Sequence, residues 1–343
     1  MSATVIEAVG LVKDYGRVRA LDGLDLEVAQ GEIFGFLGPN GAGKSTTIRI
    51  LLDQLRPTAG QARVLGTPPR AGGARQRARI GYLPGELAMT GRATAGELLG
   101  YLATLRGSAG RERIAPLADR LSLDLDRPIR GLSKGNKQKV GVIQAFMHDP
   151  ELLILDEPTS GLDPLLQQEF LTMAREARDR GATVFMSSHV LSEVEEIAGR
   201  VAIVRAGRIV DLDDVATLRY HAGQQVELVF AAPDEIDVAA FERLPGVSDV
   251  RLDGATLRCR LHGEPDALLK HAAERHVVRW SAQDRELEDL FLDHYRMPVS
   301  DDGGDGGDGG DGDDGNDGEV VATDGSAGAA TAAGSARDTQ GER

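Results

Sequence analysis

Nine consecutive residues, Gly38-Pro39-Asn40-Gly41-Ala42-Gly43-Lys44-Ser45-Thr46, restrict this chain more than any other stretch. They follow the apolar run Ile33-Phe34-Gly35-Phe36-Leu37 and open onto residues 47–52, whose apolar spacing is helical. The pattern is strand, loop, helix. Glycines at these positions let successive backbone N–H groups turn inward around phosphate oxygens, with the positive end of the helix behind them. Lys44 is then placed to reach β- and γ-phosphates, and the Ser45 hydroxyl to join a Mg²⁺ ion. Binding of ATP or GTP is the expectation.

The rest of the chain is bounded by its size and charge. With 343 residues it has room for about two domains. No stretch approaches the roughly eighteen apolar residues of a membrane span, and the first residues lack a signal pattern, so the sequence reads as cytoplasmic. The one cysteine, Cys259, excludes an intrachain disulfide and is expected to be a small buried hydrophobe. The formal charge is −15, of which residues 298–343 carry −10 from ten Asp, two Glu and two Arg. That leaves about −5 for the folded part, without the basic stripe that a nucleic-acid surface requires. No nucleic-acid partner is expected.

Residues 5–9 and 24–28 alternate as strands do, and a sheet with one antiparallel edge is the expected arrangement. Between them Tyr15, in the turn Asp14-Tyr15-Gly16, offers a ring on which a purine base can stack. Residues 61–66 and 78–84 read as further strands, and Leu98, Leu99, Leu102, Leu105, Ile114, Leu117 and Leu121 recur at helical spacing, as a helical insertion would. This insertion ends in Leu132-Ser133-Lys134-Gly135-Asn136 ahead of an apolar helix over 140–147. Ser133 suits a helix cap, and a capped helix explains that motif by itself as well as anion binding does.

A second strong motif is Leu152-Leu153-Ile154-Leu155-Asp156-Glu157, a buried strand ending in two carboxylates. At the phosphate end of such a sheet Asp156 suits a Mg²⁺ ligand. Glu157 suits the group that polarises a water lined up on the γ-phosphate. Residues 182–188 read as a third buried strand with His189 at its end, where an imidazole can donate to a γ-phosphate oxygen.

Taken together, Tyr15, residues 38–46, Leu132 to Asn136, Leu152 to Glu157, Gly161-Leu162-Asp163 and His189 resemble the ATP-binding subunit of an ABC transporter over residues 4–220. The resemblance implies an α/β fold: a P-loop NTPase (RecA-like) core with an antiparallel β subdomain and a helical subdomain. It also implies two cassettes that sandwich two ATP molecules as a dimer. Ser133, Gly135 and Asn136 would then touch the γ-phosphate held by the opposite Lys44. Glu157 resembles the catalytic base, His189 the switch histidine and Asp163 the aspartate of the dimer-spanning loop. Two departures stand out. The signature, Leu-Ser-Gly-Gly-Gln in the family, here reads Leu132-Ser133-Lys134-Gly135-Asn136. The glutamine that contacts Mg²⁺ and the attacking water, and couples to the membrane partner, is replaced by Gly85, with Glu86 as the neighbouring candidate.

Beyond residue 220, strands at 226–230, 250–252, 256–261 and 277–280, with helices near 238–244, 265–273 and 285–295, predict a small α+β domain over 221–297. With its closing Glu286-Leu287-Glu288-Asp289-Leu290-Phe291 it resembles the C-terminal extension of drug-exporter subunits of the daunorubicin-resistance and sodium-exporter type, used for dimer contact or regulation. Its histidines His262, His271, His276 and His294 lack metal-ligand spacing. The Asp/Gly-rich tail 298–343 is expected to be disordered, because it has too few apolar residues to offset chain entropy. The resulting expectation is an ATPase that powers export through a separate polytopic permease, held peripherally at the inner face of the cell membrane. The alternatives are a soluble ABC ATPase switching a macromolecular complex, and an inactive nucleotide-binding adaptor, against which Lys44, Asp156, Glu157 and His189 argue.

Overall fold

The computed structural model describes residues 3–232 and 236–284, and all of these fall within one compact unit. The helix expected over 285–295, the motif 286–291 and the tail 298–343 lie outside the described residues.

The chain opens with the hairpin β1 (Thr4–Tyr15) and β2 (Val18–Ala29), enters β3 (Ile33–Leu37), and passes through the glycine-rich loop into α1 (Lys44–Leu51). β4 (Ala59–Val64), α2 (Pro69–Ala78) and β5 (Ile80–Leu83) follow. β1 pairs with β2 and β4 in a separate antiparallel sheet of order β2-β1-β4. The central sheet does have one antiparallel edge, but it is the late strand β9 and not the hairpin: no strand of the hairpin joins β3, and the hairpin belongs to the antiparallel β subdomain that the family resemblance implies. The shared apolar face explains this, since Ile6, Leu11, Leu24 and Val28 bury onto Phe34 and Phe36 rather than extending their sheet.

The insertion is helical as the spacing predicts. α3 (Ala95–Leu105) starts in a reciprocal cap in which Thr94 Oγ1 accepts from Glu97 N–H and Glu97 accepts from Thr94 N–H. α4 (Ile114–Arg120) and α5 (Lys134–Phe146) complete it, α5 beginning six residues before the expected helix because Ser133 caps it through Asn136 N–H. Then come β6 (Leu152–Asp156), α6 (Pro164–Asp179), β7 (Thr183–Ser188), α7 (Leu191–Ile197), β8 (Arg200–Arg205), β9 (Arg208–Asp214) and α8 (Val215–Ala222).

The central sheet has the order β5-β6-β7-β3-β8-β9, parallel except at β9. Strand periodicity splits its side chains between two cores. Phe34, Phe36, Leu152, Ile154 and Phe185 face the antiparallel sheet and α1, whereas Ile33, Leu37, Leu153, Leu155, Val184 and Met186 face the remaining helices. This is an α/β sandwich with the P-loop NTPase arrangement.

β10 (Gln224–Phe230), α9 (Val238–Glu242), β11 (Val247–Asp253), β12 (Thr256–Leu261), α10 (Asp266–Ala273) and β13 (Val277–Asp284) build an antiparallel sheet of order β11-β12-β10-β13. It has its own core, including Leu228, Phe230, Phe241, Leu257, Cys259 and Leu268. Among the described residues no helix is long and apolar enough to cross a membrane.

Candidate functional site

Three neighbouring parallel strands end at one edge. The register sets Leu37 of β3 beside Ser188 of β7, and Asp156 of β6 beside Ser187. Gly38, Glu157 and His189 each follow one of these ends, so the sheet delivers the loop, the second carboxylate and the imidazole side by side. Gly38 N–H donates to Ser188 O at 3.4 Å, and Glu157 N–H to Ser187 O at 3.2 Å.

The loop is shaped by backbone that approaches too closely for side chains. Gly43 has φ 112°, and a Cβ there would stand 2.7 Å from Leu21 Cδ2 and 2.8 Å from Ala20 O. At Gly38 a Cβ would meet Val204 O at 2.5 Å. Gly207, in the β8–β9 turn, donates its N–H to Ala42 O at 2.9 Å and accepts from Asp22 N–H at 3.0 Å. Both sheets therefore brace the loop. α1 carries no acid in its first turn, so its positive end faces the loop unneutralised.

Lys44 is only 6% exposed. Its Nζ donates to Gly38 O at 2.5 Å and Pro39 O at 3.2 Å, and lies 3.3 Å from Glu157 Oε1 as an ion pair rather than an aligned hydrogen bond. The other Glu157 oxygen, Oε2, accepts from His189 Nδ1–H at 2.5 Å. Lys44, Glu157 and His189, singled out from separate parts of the sequence, thus form one chain of contacts.

Asp156, also 6% exposed, accepts from Ser187 Oγ–H through Oδ1 at 2.6 Å. Its Oδ2 faces the space beside Gly85, where a Cβ would lie 3.4 Å away. The family glutamine's place is thus filled by a bare backbone against the Asp156 carboxylate, and Glu86 instead lines a cavity of about 370 Å³ with Leu87, Lys134, Lys137 and Gln138.

Glu157 has φ 49°, in the left-handed region that costs a non-glycine residue about 1–3 kcal/mol. Its surroundings hold it there. Its N–H also meets Ser187 Oγ at 3.2 Å, and its carbonyl accepts from Gln138 Nε2 at 3.3 Å. Gln138 donates as well to Pro158 O at 2.8 Å. From α7, Glu193 Oε2 accepts from Thr159 Oγ1 at 2.6 Å and from Ser188 Oγ at 3.4 Å. Burial raises the Glu193 carboxyl above its ordinary range; the two hydroxyls oppose this, and the Glu157 charge adds to it.

The remaining candidates do other work within the single chain. Ser133 caps α5, and Asp163 caps α6 by accepting from Leu166 N–H at 3.1 Å. Gly135 packs on the turn before α6, since a Cβ would stand 2.6 Å from Gly161 O. Tyr15 ends β1, 46% exposed, with Lys13 Nζ 5.2 Å from its ring centre. Ser45 follows Lys44 in the first turn of α1, with Asn40, Gly41 and Thr46 completing the loop region.

Gln138, Ser187, Thr159 and Glu193 did not stand out in the sequence. A glutamine at a buried position of an otherwise apolar helix face is the one signal that could have found Gln138. Among the described residues no group of three or more His, Cys, Asp or Glu side chains converges as a metal centre.

Residues 21–160 match the family described as ABC transporter. The chain is 38% identical over 226 residues to the daunorubicin/doxorubicin resistance ATP-binding protein DrrA of Streptomyces peucetius, covering 64% of this chain and 68% of that protein. It is 34% identical over 300 residues to the Nod factor export ATP-binding protein I of Paraburkholderia xenovorans (strain LB400), covering 85% of this chain and 97% of that one. A solved structure of the ATP binding subunit of an ABC transporter superposes with a TM-score of 0.59 at 30% identity, covering 63% of this chain and 92% of its own.

Proposed function

The chain belongs to the ABC transporter family as an ATP-hydrolysing cassette, and on that premise we propose that it is the subunit that powers an export system through a separate membrane permease. The observation that carries this reading is the convergence of the phosphate loop, Asp156, Glu157 and His189 at one sheet edge, linked through Lys44. The likeness to the Nod factor export protein supports the export arm, because it extends past the cassette through residues of the C-terminal sheet. Residues 4–220 are assigned as the cassette and 221–297 as a dimer-contact or regulatory domain.

In this reading Tyr15 stacks on the adenine and residues 38–46 enclose the phosphates. A polyphosphate draws the Lys44 ammonium away from Glu157, because phosphate oxygens carry more charge than one carboxylate. Glu157, so released, accepts a proton from the attacking water, while His189 keeps its other oxygen oriented and reaches towards the γ-phosphate. Mg²⁺ fits the residues present: Ser45 offers a hydroxyl, and the buried Asp156 carboxylate has one oxygen committed to Ser187 and the other facing Gly85. Held by Ser45 and Asp156, such an ion would supply charge neutralisation for the phosphates. Ser133, Gly135 and Asn136 complete the site of a second cassette, with Asp163 at the junction. ATP closes the dimer and hydrolysis reopens it.

Two measurements test the proposal. Glu157→Gln should give dimers that accumulate with ATP and turn over slowly, as seen by size exclusion; unchanged hydrolysis would remove Glu157 from the role of base. Tagged protein recovered from detergent-solubilised membranes should bring with it a polytopic permease that stimulates hydrolysis. Recovery of soluble complexes alone would favour the switch without transport.

A further inference from the structure

Three contacts fasten the start of α5 to the segment 157–163 within one chain. Lys134 Nζ donates to Ser160 Oγ at 3.3 Å, Gly135 leaves room for Gly161 O and nothing larger, and Gln138 Nε2 donates to the carbonyls of Glu157 and Pro158. Only the last reaches the carboxylate-bearing residue itself. Gln138 is 3% exposed, and its amide group donates to both carbonyls; the Glu157 carbonyl also accepts from Ser160 N–H at 3.2 Å, so Gln138 is the donor that ties this turn to α5.

The direction of this linkage matters because the two ends serve different nucleotides. In the sandwich dimer proposed above, on which this inference rests, Ser133, Gly135 and Asn136 touch the ATP held by the partner, whereas Glu157 acts on the ATP held by its own Lys44. Gln138 stands two residues past the signature's Asn136, about one helical turn from Gly135, and donates to the carbonyl of Glu157, whose left-handed backbone needs such support.

We propose that Gln138 is a positioning residue for Glu157, through which occupation of the signature by one ATP sets the geometry for hydrolysis of the other. A rigid helix turn moves as a unit, so a shift of Ser133 against phosphate is passed to the Glu157 peptide. Displacements of about an ångström at a reacting group cost roughly a hundredfold in rate.

The test uses the full chain and ATP. Gln138→Leu keeps the side-chain size and removes both donors. Its kcat should fall by at least about tenfold, while KM and the affinity for a fluorescent ATP analogue stay within about twofold, and the Hill coefficient for ATP falls towards one. Gln138→Glu supplies a readout that a purely structural role would not move. Its carboxylate repels the two carbonyls, but once protonated it regains one donor, so its kcat relative to the parent should rise as pH is lowered from about 8 to 6. A kcat and Hill coefficient equal to the parent's would overturn the proposal. So would joint loss of nucleotide affinity, melting temperature and activity in both variants without recovery at low pH, which marks a folding role. If Glu157→Gln forms no ATP-dependent dimer, the sandwich reading and this inference fall together; if it does and Gln138 variants stay cooperative, only this inference falls.

Discussion

His148, just past α5, shows how a single side chain ties stability to pH. Its Nε2–H donates to Ile80 O at 3.2 Å, while Nδ1 is buried without a partner. Burial, with the nearby Arg106 charge, lowers its pKa from 6.5 to about 4. Since the folded value lies below the unfolded one, the contribution is intact above pH 6.5 and is lost as pH falls towards 4, where only the unfolded chain takes up the proton. At about 1.4 kcal/mol per pH unit, reduced for partial exposure, the loss is on the order of 2 kcal/mol. Urea unfolding at pH 7.5 and 4 should show it, and His148→Gln should lose less between the two. Glu193 has the opposite sign. Its raised carboxyl favours the fold when protonated, and that contribution fades as pH rises through the raised value. Glu193→Gln should therefore withstand more urea than the parent at pH 8, with the advantage vanishing in acid.

Among the elements, helices sit on the central sheet by backbone contact. A Cβ at Gly81 of β5 would stand 2.1 Å from Ala145 O of α5, and at Gly141 of α5 2.6 Å from Leu83 Cδ1. Gly81→Ala should cost about 1–3 kcal/mol in denaturant unfolding, the usual price of overpacking. The C-terminal sheet offers an independent probe. Cys259 is the sole cysteine, and burial pushes its thiol up to about 11. A thiol reagent at pH 8 should scarcely label the native chain, and labelling at lower urea than the loss of ATPase activity would show that residues 221–297 open separately. The phosphate loop, the Asp156-Glu157 pair and the strand before His189 were legible because each is carried by consecutive residues with a fixed chemistry. What escaped depended on contacts between distant segments. Strand alternation alone did not place the hairpin in the antiparallel subdomain that the family resemblance implied, because that turns on which apolar face it covers, and α2, whose one buried side chain is Gln76, has no apolar stripe to betray it. β8 and β9 went unread although they supply Val204 and Gly207 to the loop wall.

For the whole molecule, charge and topology bear on different questions. Residues 298–343 hold −10 of the −15 formal charge but none of the site residues. Deleting 300–343 should leave ATPase activity near normal while raising the isoelectric point, which hydrolysis assays and isoelectric focusing would check. Topology sets the order in which a nucleotide site can exist at all. β3 pairs Ile33 with Val184 and Phe34 with Arg200, so the strand bearing the loop leaves the ribosome long before either flanking strand. At 5–20 residues per second the wait for β7 is roughly 8 to 30 seconds. During synthesis the hairpin made just before it can shield one face of β3, whereas the opposite face and both hydrogen-bonding edges stay open until the second half of the cassette arrives.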